Sequence, residues 1–107
     1  MTESHVYRLT SGAVLVVDPE ALVAEWRRGE MALTPRQLLR AATPELRQDV
    51  GRAARRAVAE IRVLAATAEE TTLAEALRVL AARLWEAHRA ALAEPPRRDE
   101  QQELPGL

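Results

Sequence analysis

No cysteine occurs among the 107 residues. That absence excludes disulfides, thiol catalysis and thiolate metal sites, and it fits a reducing, cytoplasmic setting. Phenylalanine is missing too, and the aromatics amount to two Trp and one Tyr. A core must therefore come from Leu, Val, Ile and Ala. Alanine lets helices approach closely but buries little area. At about 25 cal/mol per Å² of apolar surface, an Ala-lined seam is weak for its length. Self-association is a natural way to bury more. Lysine is also absent, so all 15 basic residues are Arg. The net charge of −1 supplies no general pull toward nucleic acid or an anionic membrane.

Other absences narrow the chemistry. No apolar run approaches the roughly 20 residues that span a bilayer. The start, Met1-Thr2-Glu3-Ser4-His5, lacks the basic and apolar regions of a signal peptide. A soluble cytoplasmic protein without membrane contact is expected. The four glycines, at 12, 29, 51 and 106, are scattered, so there is no phosphate-cradling loop. The two histidines, His5 and His88, fall in different elements and lack partners at ligand spacing, so no metal or cofactor is expected. The two serines, Ser4 and Ser11, sit in no nucleophile motif. The carboxylates fall where a turn or a solvated face accounts for them. The expectation is a protein that is not an enzyme.

What is present is patterned for helices. Residues 5–10 alternate weakly, Ser11-Gly12 marks a turn, and Ala13 to Val17 is rich in β-branched residues. This reads as a small N-terminal β-hairpin over 1–17. Its second strand is apolar on both faces and needs cover on each side. Asp18-Pro19-Glu20 reads as a helix start: a capping acid, a proline at the first helical position and a negative charge at the positive dipole end. A helix is expected from there to about Arg28, burying Leu22, Val23 and Trp26, with Gly29 as its stop. Thr34-Pro35 repeats the logic for a second short helix reaching Ala42.

From Pro44 the apolar residues Leu46, Val50, Ala53, Ala57, Ile61, Leu64 and Ala68 recur at spacings of three and four. Thr72-Leu73-Ala74-Glu75 matches a capping box. Leu73, Leu77, Leu80, Leu84, Ala87 and Ala91 then follow in heptad fashion. An antiparallel helical hairpin over 44–94, turning near 69–72, is expected over its rival, one continuous helix. The paired prolines at 95 and 96 and the polar residues after them suggest a disordered tail over 95–107. The fold class expected is thus mainly α: one α-rich domain over 1–94, made of a small β-hairpin, two short helices over 19–42 and a long helical hairpin.

Two functional readings follow. The favoured one is a non-enzymatic assembly, adaptor or scaffold subunit working by helix–helix contact. Leu73, Leu77, Leu80, Leu84 and Trp85 would form the interface with a protein partner or with a second copy in a homo-oligomer. The alternative is a DNA-binding regulator or antitoxin with a helix-turn-helix at about 19–42. Arg36 and Arg40 on its second helix, and a stripe of Arg52, Arg55 and Arg62, would contact nucleic acid. A solvated helix face explains the stripe as simply, because no neighbouring aromatic is evident and the chain as a whole is not basic.

Overall fold

The computed structural model describes residues 4–40 and 42–93. The expected tail over 95–107 lies outside them. Four strands come first: β1 (His5–Arg8), β2 (Val14–Asp18), β3 (Val23–Arg28) and β4 (Met31–Leu33). A short helix α1 (Pro35–Leu38) leads to two long ones, α2 (Pro44–Thr67) and α3 (Thr71–Ala93). The sheet is an antiparallel meander in the order β1-β2-β3-β4. It lies against the helix pair, giving two layers around one core.

This overturns the mainly α fold class. The expected hairpin is half of a four-stranded sheet, and the expected helix over 19–28 does not form. Its start signal is read locally and then stopped. Asp18 Oδ1 accepts from the backbone N–H of Glu20 at 3.0 Å and of Ala21 at 3.2 Å. That caps a single turn, which Leu22 ends in the left-handed region at φ 59°. Val23 then enters β3. The stronger demand comes from β2, whose ladder groups need partners on both sides. The helix hypothesis left one side of β2 without a hydrogen-bonding strand, and β3 fills it. Trp26 is buried as expected, but Leu22 and Val23 are 38% and 44% exposed. Gly29, at φ 62°, is the first position of a two-residue turn into β4 rather than a helix stop. Among the described residues of 19–42 there is no helix-turn-helix, because its first helix is a strand and its second is one turn long.

The remaining boundaries have local causes. Leu9 N–H donates to Ala13 at 2.9 Å across a three-residue loop whose last residue, Gly12, takes φ 98°. Thr34 and Gln37 form a reciprocal capping box at α1. Thr43 caps α2 by accepting from Leu46 N–H at 3.1 Å. Ala68 leaves α2 in an extended conformation, and α3 begins at Thr71. Thr72 is therefore inside the helix rather than its cap. Arg47 near the start of α2 donates to the carbonyl of Leu92 near the end of α3 at 2.6 Å, so the pair is antiparallel.

One row of the sheet's inner face carries Tyr7, Leu15, Trp26 and Leu33 across all four strands. Leu15, Val17 and Trp26 are 0 to 1% exposed. The buried band of α2 is wider than the single stripe in the sequence. It adds Ala54, Val58 and Ala65 to Val50, Ala57 and Ile61, because α2 faces both the sheet and α3. Among the described residues, no helix is long and apolar enough to cross a membrane.

Candidate functional site

Two faces of the helix pair differ in chemistry. The inner face holds a buried polar pair. His88 on α3 is fully buried, and its Nε2 accepts from the indole N–H of Trp26 at 2.7 Å. An indole nitrogen can only donate, so Nε2 carries no proton. His88 Nδ1 lies 2.7 Å from the carbonyl of Leu84, which can only accept, so the proton sits on Nδ1. Burial pushes the imidazole below its ordinary pKa, against the smaller opposing effect of the Leu84 carbonyl. Both ring nitrogens are thereby committed to internal bonds, which makes the pair a structural fixture. An apolar cavity of about 390 Å³ lies beside it, between β4 and α3, and Leu80 and Leu84 help to line it.

The outer face is built from residues two turns apart. On α2, Arg55, Val58 and Arg62 lie three and four residues apart. On α3, Arg78 and Trp85 are seven apart. At 100° per residue each set shares one side of its helix. Arg55, Val58 and Arg62 meet Trp85 in one shallow groove, and Arg62 meets Arg78 and Ala66 in the next. No carboxylate among the described residues lines either groove. Among the described residues, Arg55, Arg62 and Arg78 have no ion-pair partner, in contrast to Arg52 with Asp49 at 2.6 Å and Arg89 with Glu86 at 3.5 Å. Trp85 is half-buried and makes no hydrogen bond to a described residue.

The residues singled out in the sequence are therefore redistributed. Leu77 and Leu84, 2% and 7% exposed, belong to the chain's own core. Leu80 and Trp85 are half-buried on different sides of α3, and Leu73 is 39% exposed. Arg52 is not among the residues that line these two grooves of Arg55, Arg62 and Trp85. It faces a cleft between α2 and β1. Arg36 sits on α1 and Arg40 in the turn after it, where α1 packs on α3 and β4. Sequence reasoning missed Arg78, although its seven-residue offset from Trp85 was legible. It also missed the aromatic beside Arg55 and Arg62, because that neighbour comes from the other helix.

The cleft between β1 and α2 is the third feature, about 520 Å³ in volume. Tyr7 donates its hydroxyl to Glu60, and His5 Nδ1 lies 3.7 Å from the same carboxylate. Burial chiefly, then the hydrogen bond and charge of Glu60, push the Tyr7 phenol above its ordinary pKa, while Arg56 acts the other way. Among the described residues, no three His, Cys, Asp or Glu side chains gather as a metal site would require. Comparison with family models, with curated proteins and with solved structures finds no match to this chain.

Proposed function

We propose that this chain is a non-enzymatic protein-interaction subunit, an adaptor or assembly factor, and that it docks its partner on the outer face of the α2–α3 pair. The observation that carries the reading is the convergence of Arg55 and Arg62 on half-buried Trp85, with Arg78 beside Arg62 in the adjoining groove and no acid among the described residues paired with any of the three. Trp and Arg are the residues most enriched at binding hot spots. An arginine with an internal partner would have to lose it before binding, and these three have none among the described residues. The partner surface that fits is a helix or strand carrying carboxylates around an apolar residue.

Nucleic acid is the weaker fit. Three arginines over an apolar floor give few phosphate contacts, and the net charge of −1 adds no long-range attraction. A second copy of the chain is the other occupant to distinguish. The test is affinity purification from the native host with the parent and with the variants Arg62→Glu and Trp85→Ala, with nuclease added. The reading expects a specific protein recovered by the parent and depleted about tenfold or more by each variant. Equal recovery by parent and variants overturns it, as does capture that nuclease abolishes. Sedimentation across concentration assigns self-association if the parent dimerises and Arg62→Glu does not.

A further inference from the structure

The cleft between β1 and α2 runs along an open sheet edge. β1 is the first strand in the sheet order and, among the described residues, pairs only with β2. The bond from Leu9 N–H to the Ala13 carbonyl at 2.9 Å fixes the phase of that ladder. Positions two and four residues back, Tyr7 opposite Leu15 and His5 opposite Val17, are the hydrogen-bonded pairs. Val6 and Arg8 fall on the alternate positions, so their N–H and C=O groups point away from β2 into the cleft. The opposite wall is one side of α2, where Arg52, Arg56 and Glu60 recur at four-residue spacing. An unpaired edge facing a helix across an open cleft is the geometry in which extended peptides add as an extra strand.

The charges specify the guest. Among the described residues, both acids of the cleft are already engaged: Asp49 by Arg52 at 2.6 Å, and Glu60 by the Tyr7 hydroxyl with His5 nearby. Arg8 and Arg56 make no ion pair with a described residue. The cleft therefore presents unanswered positive charge beside free backbone groups. We infer that β1 is a docking edge for an extended acidic peptide segment of a partner protein, which pairs its backbone with Val6 and Arg8 and turns alternate carboxylates toward α2, against Arg56. Backbone pairing supplies the binding, and Arg56 supplies the preference for acidic sequence.

This surface shares no residue with the outer groove, so either proposal can fail without the other. The probe is a synthetic peptide of about eight residues alternating Glu and Thr, long enough for one strand, titrated to millimolar concentration against the isotope-labelled full chain. Shift changes are expected over residues 5–10 and on α2 from Asp49 to Glu60, with new exchange protection of the Val6 and Arg8 amides. N-methylation of alternate peptide amides on the pairing edge removes the backbone bonds and is expected to abolish binding. Arg56→Glu, exposed and distant from the core, should weaken it about tenfold. The proposal is overturned by an absence of shifts at residues 5–10, by equal binding of the N-methylated peptide, or by an unchanged affinity in Arg56→Glu. A Lys-for-Glu peptide that binds as well removes the acidic preference and overturns the stated partner class.

Discussion

The two tryptophans occupy opposite sides of the helix pair and do opposite things. Trp26 is 1% exposed, is locked by its N–H to His88, and lies 6.0 Å from that imidazole between ring centroids. Trp85 is half-buried and surrounded by arginines, with its N–H bonded to no described residue. The inner residue has all its bonding capacity satisfied within the chain. The outer one, among the described residues, retains polar capacity and apolar surface for something else. A residue type that is enriched both in cores and at interfaces is sorted by this difference in satisfaction rather than by burial alone.

The sharpest break in that comparison is Trp26→Ala. It removes the largest buried side chain of the core and leaves His88 Nε2 without a donor, so a loss of about 3–5 kcal/mol is expected, read by chemical denaturation. Next is Leu77→Ala, in the seam where α3 meets the core. It should cost about 2–3 kcal/mol, the low end of such truncations, because the small alanines around it permit some collapse.

The third effect is pH dependence. The folded state holds His88 neutral, with its pKa lowered by burial. The unfolded chain takes up a proton there below about pH 6.5, the ordinary imidazole value, while the folded chain resists. Stability from this site is thus complete above about pH 6.5 and declines as pH falls toward the lowered folded value. Protonated Nε2 would also aim a second donor at the indole N–H. Denaturation midpoints at about pH 7.5 and 5.5 should differ in that direction, and the difference should shrink in His88→Gln. The smallest stability effect is Trp85→Ala, expected at about 1–2 kcal/mol because the ring is only partly buried against the core, despite its predicted effect on partner recovery. A loss as large as that for Trp26→Ala would erase the distinction between the two faces.

Legibility in the sequence followed the range of the interaction. The apolar spacing from Leu46 to Ala91 is a local signal, and the two long helices form where it runs. The stretch from Asp18 to Arg28 carried a genuine capping signal, realised as one turn at Glu20 and Ala21. What overrode it was the need of β2 for a second partner strand, a demand that exists only in three dimensions. The alternation of Ala24, Trp26 and Arg28 with Val23, Glu25 and Arg27 was available but was outweighed by Asp18-Pro19. The site was less legible. Arg55 and Arg62 were visible as a stripe, and Trp85 as an anchor, but their meeting depends on how α2 and α3 are rotated against each other. The edge of β1 was invisible until its sheet had an order.

The most direct measurement is photo-crosslinking in the native host. A photoreactive side chain is placed at Ala66, which is exposed in the groove between Arg62 and Arg78, or at Met31, 64% exposed on the sheet. The account predicts a discrete crosslinked protein from position 66 that disappears in the Trp85→Ala background, and none from position 31. No crosslink at 66, or the same product from both positions, would contradict it.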